Sequence, residues 1–275
     1  MTQVRSKMAH FATLVTEDHV PGALALGQSL FENSGYSNDI QYHILTPEGI
    51  SPAAREKLFN LPFSVECYDE SWNVDYACPN EYVPREKYTN QYKFNVFRLP
   101  ADKVTYLDAD ILCVGDVTAI DDMRELSVVM NLGKNGYSAF NERVIFNSGM
   151  FVCEPSSETF QELQEFGREW DRPIQRGDQP IMNEFFLGLY PDRVNYLSPG
   201  WNVIQPWRFK SRRLWNAARR EGMKFLHYTH VKPWRSYWPT SKEDLYYLWS
   251  KLHKKHILYR KLQSMWWPYY RRSMV

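Results

Sequence analysis

No apolar run in this 275-residue sequence approaches the length that crosses a bilayer. The opening stretch MTQVRSKMAHF lacks the apolar centre of a secretory signal. Cysteine is scarce: Cys67, Cys78, Cys113 and Cys153 form no C-x-x-C pair and no metal-binding Cys/His spacing. Cys113 and Cys153 lie in apolar runs, where a buried free thiol is expected. These absences point to a reducing, cytoplasmic compartment. An excess of one charge is also missing, and a net charge of +1 gives no general basis for nucleic-acid binding. Internal repeats, low-complexity tracts and a second core are not found either.

Aromatic residues, at 16%, are plentiful, which favours a surface with sugar-stacking patches. The first seventy residues alternate strand and helix signals. HFATLVT (His10–Thr16), IQYHIL (Ile40–Leu45) and FSVECY (Phe63–Tyr68) read as strands. Between them, PGALALGQSLFENSG places Ala23, Leu26, Gly27 and Leu30 on one helical face, with Pro21 in the first turn and Gly35 at the stop. SPAAREKLFNL reads as a second helix capped by Ser51, with Pro52 behind it. This β-α-β-α-β order predicts an α/β domain with a parallel, doubly wound sheet and helices on both faces.

A loop rich in Pro, Asn and Tyr (Ala77 to Tyr92) leads into a helix over Gln91 to Leu99. Strands follow at Val104–Leu107, Ser127–Met130 and Val144–Pro155, then the polar helix SSETFQELQEFGREW and a late strand, KFLHYT (Lys224–Thr229). The domain is expected to end near Tyr237, leaving residues 238–275 as a tail. From Ser241 onward that tail holds eight Lys or Arg against two acids. Thr240 and Glu243 form a T-x-x-E capping pattern, and Leu245, Leu248, Trp249, Leu252, Leu262 and Trp266 form an apolar stripe ended by Pro268. Its basic residues and Trp266, Trp267, Tyr269 and Tyr270 suit attachment to an anionic membrane through residues 241–275. A helix packed on the domain with a solvated basic face fits the same pattern.

The chemistry concentrates in VTYLDADILCV (Val104–Val114), where an apolar run is interrupted by Asp108 and Asp110. Carboxylates in such a run are expensive to desolvate without a compensating positive charge. About one D-x-D is expected by chance in a chain of this kind, so the motif alone is weak. Its position just past a strand, where open parallel sheets build their ligand sites, strengthens it. Two carboxylates one residue apart can reach one Mg²⁺ or Mn²⁺ whose other positions are filled by water and phosphate oxygens. Two chemistries compete at this point. A phosphatase of the haloacid dehalogenase type carries its Asp-x-Asp on the first strand with Thr or Val two residues on, where Leu112 stands here. The other is a nucleotide-sugar transferase holding a metal on a diphosphate leaving group.

Five ordered blocks together resemble glycosyltransferase family 8, the family of glycogenin, galactinol synthase and bacterial lipopolysaccharide galactosyltransferases. They are FATLVTEDHVPGALALGQSL, YLDADILCV, FNSGMFVCEPS (Phe146–Ser156), GDQPIMNEFF (Gly177–Phe186) and LHYTHVKPW (Leu226–Trp234). The resemblance implies a single Rossmann-like, GT-A type nucleotide-sugar-binding domain with a mostly parallel central sheet. It implies metal-dependent transfer of a hexose, galactose or glucose, from a nucleotide diphosphate sugar, usually UDP-linked, with retention of configuration. The acceptor would be a glycan, a glycolipid or a polyol.

By the same resemblance Asp108, Asp110 and His227 would be the metal ligands, a set that suits Mn²⁺ somewhat better than Mg²⁺. Ala109 would lie with the two acids against the donor. Lys232 would neutralise the diphosphate as the sugar–phosphate bond breaks, and Lys93 would face the donor. Leu14, Thr16 and Val20 would hold the nucleotide base. Asn147, Ser148 and Gly149 would line the donor sugar, with Asp178 and Gln179 under the anomeric carbon. Asp178 is the candidate nucleophile for a covalent route to retention. Attack on the face that the diphosphate vacates needs no protein nucleophile and is the preferred expectation. The loop HYTHVKPW is one residue shorter than in glycogenin, with His230 near the expected glycine, and WNVIQPWRFKSRRLW lacks glycogenin's self-glucosylated tyrosine. A non-catalytic sugar-nucleotide-binding protein remains the third reading.

Overall fold

The computed structural model describes residues 8–69, 89–131, 145–169, 177–205, 211–229, 232–234 and 261–275. Its first elements follow the expected order: β1 (Ala9–Leu14), α1 (Val20–Asn33), β2 (Ile40–Leu45), α2 (Pro52–Phe59) and β3 (Ser64–Tyr68). Gly35 sits just past α1 at φ +92°, a conformation that glycine adopts without a Cβ clash. At α2, the Ala54 N–H donates to Ser51 Oγ at 3.2 Å, capping the helix ahead of Pro52. The remaining elements are β4 (Val104–Leu107), β5 (Ile111–Cys113), β6 (Ser127–Met130), β7 (Phe146–Cys153), α3 (Ser157–Arg168), α4 (Asp178–Leu189), β8 (Asn195–Leu197), β9 (Val203–Ile204), α5 (Arg212–Glu221), β10 (Phe225–His227) and α6 (Trp267–Arg272). The helix expected over Gln91 to Leu99 is a 3-10 helix, Asn90–Arg98, buried from Gln91 to Phe97.

Seven strands form the main sheet in the order β3-β2-β1-β4-β7-β6-β8. All pairings are parallel except those of β7, which runs antiparallel to β4 and β6. The sheet is therefore mostly parallel, with one reversed strand that apolar patterning does not reveal. Side chains alternate between two cores. Phe11, Leu107, Met150 and Val152 face α1 and α2, while Ala12, Tyr106, Phe151 and Cys153 face the 3-10 helix, α3 and α4. Helices thus cover both faces, as the alternation predicts. From β1 the chain runs outward through β2 to β3, then returns to β4 on the other side of β1. That reversal opens a crevice beyond the carboxyl ends of β1 and β4.

A second, small sheet, β5-β10-β9, sits beside that crevice. The α1 helix is buried beyond the four-residue face read from its sequence, since Leu24, Ala25, Gln28 and Ser29 are covered too. Its second cover is the end of the chain. Leu262 and Trp266 join the α1 core, Asn33 donates to the Tyr269 hydroxyl at 3.0 Å, and Arg272 grips Glu32 at 2.6 and 2.7 Å. Trp266 is fully buried, so this ring is not available to a membrane surface. Cys113 and Cys153 are buried free thiols. Cys78, Val144, His230, the boundary at Tyr237, the Thr240–Glu243 pattern and the stripe residues Leu245, Leu248, Trp249 and Leu252 lie outside the described residues. No helix among the described residues is long and apolar enough to cross a membrane.

Candidate active site

The two acids follow β4 in a tight turn. Asp108 N donates to Gly149 O at 2.8 Å, and Ile111 N donates to Asp108 O at 3.0 Å as β5 begins. Antiparallel pairing of β10 with β5 sets His227 opposite Ile111, and Tyr228 N donates to Asp110 O at 2.9 Å. Two three-residue strands thereby carry an imidazole across the sequence to the D-x-D turn. His227 Nε2 lies 3.2 Å from Asp110 Oδ1 and 3.7 Å from Asp108 Oδ2. Among the described residues this is the one group of three His, Cys, Asp or Glu side chains whose ligand atoms converge, all within 4.8 Å.

The set fits a hard divalent ion. Neighbouring ligands of an octahedral ion at about 2.1 Å stand about 3 Å apart, close to the separations seen here. Two carboxylates and one imidazole are the donors such an ion accepts. Gly149 makes the approach possible, because a Cβ there would collide with His227 Cε1 and lie 2.7 Å from Asp108 Oδ2. Burial works against the Asp110 charge, yet His227 and Lys232 beside it hold the carboxyl below its ordinary range.

Two lysines flank the triad. Lys232 bonds Asp110 Oδ2 and donates to Tyr228 O at 3.3 Å. Lys93, from the 3-10 helix, is buried and meets Asp178 Oδ2 at 2.6 Å, Asp108 Oδ1 at 3.0 Å and Ser148 O at 3.1 Å. Burial disfavours the Lys93 charge, but Asp108 and Asp178 outweigh it and raise the ammonium's pKa above normal. Asp178, in the first turn of α4, also accepts the Ser148 hydroxyl at 2.6 Å. Gln179 Oε1 accepts Asn147 Nδ2 at 3.2 Å and Ser148 N at 3.3 Å.

A cleft of about 550 Å³ joins these groups. It is lined by Leu14, Thr16, Lys93, Asp108, Ala109, Asp110, Asn147, Ser148, Gly149, Asp178, Gln179, His227 and Lys232. Val20 alone of the sequence candidates does not line it. The short turn Glu17–His19 brings the neighbouring His19 to the cleft and sends Val20 into the core. Thr89, Asn90 and Thr229 also line the cleft, and none stood out in the sequence. Nor did Asn202, fully buried behind the triad, whose Oδ1 lies 3.1 Å from His227 Nδ1.

A mostly parallel sheet with a two-acid turn at its switch point forms an α/β frame with a ligand crevice at its strand ends, and solved structures of that build superpose on the chain. The galactosyltransferase LgtC, in complex with donor and acceptor sugar analogs, matches with a TM-score of 0.61 and 19% identity over 82% of this chain and 89% of that one. The glycosyltransferase GlyE of Streptococcus pneumoniae TIGR4 matches with a TM-score of 0.63 and 16% identity over 96% and 60%. The fold is the GT-A fold of these enzymes.

The chain belongs to glycosyl transferase family 8, whose sequence profile its residues 10–237 match. It is 28% identical over 238 residues to putative UDP-glucuronate:xylan alpha-glucuronosyltransferase 3 of Arabidopsis thaliana, over 83% of this chain and 35% of that protein. Glycogenin-1 of Oryctolagus cuniculus is 25% identical over 270 residues, 96% of this chain and 76% of that protein. The chain thus spans about a third of the length of the xylan glucuronosyltransferases it matches.

Proposed function

We propose that the chain is a retaining hexosyltransferase. It moves galactose or glucose from a nucleotide diphosphate sugar, with UDP the carrier, to a glycan, glycolipid or polyol acceptor. The observation that carries this reading is the meeting of Asp108, Asp110 and His227 at the floor of the cleft, within a chain of this family. Those three residues would hold the divalent ion, Mn²⁺ in preference to Mg²⁺. Bound there, the ion supplies positive charge to the diphosphate as the leaving group departs. The residues expected of a catalytic domain reach to position 237, with 238–275 as its basic tail.

Lys232 stands next to Asp110 and adds a second cation on the diphosphate side, where negative charge develops during transfer. Leu14, Thr16 and His19 would hold the nucleotide base, while Asn147, Ser148, Gly149 and Gln179 would face the sugar; all seven line the cleft. Asp178 is fastened by Lys93 and Ser148 on the same carboxylate oxygen. A carboxylate so engaged is a poor nucleophile, which favours acceptor attack on the face the diphosphate leaves. Asp178 then serves to hold Lys93 and the sugar-side strand in place.

The phosphatase reading loses its support to the family match. The test is hydrolysis of UDP-galactose, UDP-glucose and UDP-glucuronate with added Mn²⁺. We expect Mn²⁺-dependent UDP release from one hexose donor, abolished in Asp110→Asn. Release of phosphate from simple esters, with no nucleotide sugar turned over, overturns the proposal. Binding of a donor without turnover would return the non-catalytic reading.

A further inference from the structure

Asn202 follows the 3-10 turn Pro199–Trp201 and precedes β9; it is fully buried, so its amide has no access to solvent. A buried amide that left its groups unpaired would be costly. Here both ends are used. Its Oδ1 faces His227 Nδ1 at 3.1 Å, and its Nδ2 donates to Asn147 Oδ1 at 2.9 Å. Asn147 Oδ1 also accepts Gly149 N at 3.0 Å, which turns the Asn147 amide nitrogen toward Gln179 Oε1 at 3.2 Å.

Each link in this chain has a direction. An amide oxygen only accepts hydrogen bonds, so the His227 nitrogen facing Asn202 must carry a proton. The imidazole's other nitrogen, Nε2, is the one turned toward Asp110 and Asp108. With Nδ1 committed as a donor, Nε2 is the nitrogen whose lone pair can open toward the space between the carboxylates. A histidine ligand oriented through its second nitrogen is a general way of fixing tautomer and ring angle at a metal site. Asn147 and Gln179, at the other end of this series of bonds, line the cleft where the proposed function puts the donor sugar.

We propose that Asn202 is a positioning residue with two functions. It holds His227 in the Nδ1–H tautomer that leaves Nε2 free for the divalent ion. It also ties that ligand, through Asn147, to Gln179 on the donor-sugar side. The proposal rests on the metal reading of Asp108, Asp110 and His227 given above. It needs no contact between Asn202 and substrate.

The test measures Mn²⁺ binding to the full chain by electron paramagnetic resonance, without donor or acceptor. In Asn202→Leu, which keeps the volume and removes both bonds, Mn²⁺ affinity should fall about 10–100-fold. In Asn202→Asp the acceptor for His227 Nδ1–H remains, so Mn²⁺ affinity should be no weaker than in the wild type. The Asp variant cannot donate to Asn147, so its donor KM should rise at saturating Mn²⁺. Unchanged Mn²⁺ affinity in Asn202→Leu, or equal loss in both variants, overturns the proposal. Nitrogen-15 shifts of His227 in the wild-type chain, followed upward in pH until the ring is neutral, give a readout that depends on no variant's folding: the Nδ1–H tautomer is expected, and the Nε2–H tautomer overturns it. A wild-type chain that binds no Mn²⁺ sinks the metal reading itself, and this proposal with it, so the two failures are told apart.

Discussion

Lys93 is a buried ammonium shared by two acids, and its removal leaves the buried Asp178 carboxylate without its cation. Breaking such a pair by deleting one partner costs about 3–5 kcal/mol, so Lys93→Met should lower stability by that order in chemical denaturation. Adding Asp178→Asn to the same chain should recover much of the loss without restoring donor turnover. A single variant as stable as the wild type would show that Lys93 compensates nothing. Gly149→Ala tests the close approach of His227 to Asp108. The collision displaces His227 or Asp108, both proposed to hold the metal, and a displacement near 1 Å costs about 10²-fold in rate, so donor hydrolysis should fall by that order. Near-normal hydrolysis would mean that His227 moves freely and is not held in the triad. At this scale the sequence is readable where a motif is contiguous. Asp108 and Asp110 announce themselves by interrupting an apolar run. Asn202 does not, because nothing local marks an amide whose partners stand 25 and 55 residues away. Val20 is a candidate through the resemblance of the first strand and its loop, and the 3-10 turn Glu17–His19 that puts His19 rather than Val20 at the cleft has no period to read.

Elements differ in how much they reveal before folding. The alternation of β1, α1, β2, α2 and β3 is legible because each is long enough to show its period and the two helices carry Pro with Ser or Gly at their ends. Of the small sheet that delivers His227, only β10 is legible, inside KFLHYT; β5 and β9, with three and two residues, have no period to read. The reversal of β7 is equally silent, because a strand buried on both faces is apolar in either direction. Packing between elements makes its own prediction at His43 on β2. Its Nδ1 meets the Tyr68 hydroxyl on β3 at 3.0 Å, and its Nε2 meets His10 Nδ1 on β1 at 3.0 Å. Burial, with His10 adding to it, pushes the His43 pKa from 6.5 down to about 4. The unfolded chain therefore takes up a proton that the folded chain refuses between those values. Stability is fully present above pH 6.5 and falls as pH drops toward 4, by about 3 kcal/mol over that window. His43→Gln should flatten the pH dependence of the denaturation midpoint across this range. A variant that keeps the wild-type slope would assign the acid sensitivity elsewhere.

Over the whole molecule, the described end of the chain bears on the two readings of the basic tail. A membrane anchor would turn its aromatic rings outward, and Trp266 does the opposite. It stacks on Tyr270 with centroids 5.0 Å apart and meets Trp234 of the KPW segment at 5.5 Å. Four residues before it, the Leu262 carbonyl accepts the Tyr228 hydroxyl at 2.7 Å. The tail therefore touches the segment bearing His227 and Lys232 on both sides, through Tyr228 and Trp234. Trp234 is itself fixed by donating to Asp18 O at 2.9 Å, over Gly22, where a Cβ would strike the ring. Lys261, Arg271 and Arg272 remain exposed on the outside of this packing. Truncating a buried tryptophan to alanine costs about 3–5 kcal/mol, and Trp266→Ala should lose that order of stability. Its donor hydrolysis should fall as Lys232 loosens, while its binding to anionic liposomes stays at the wild-type level. The opposite pattern, with stability and hydrolysis unchanged and liposome binding lost, would make Trp266 a membrane residue and its burial incidental to function.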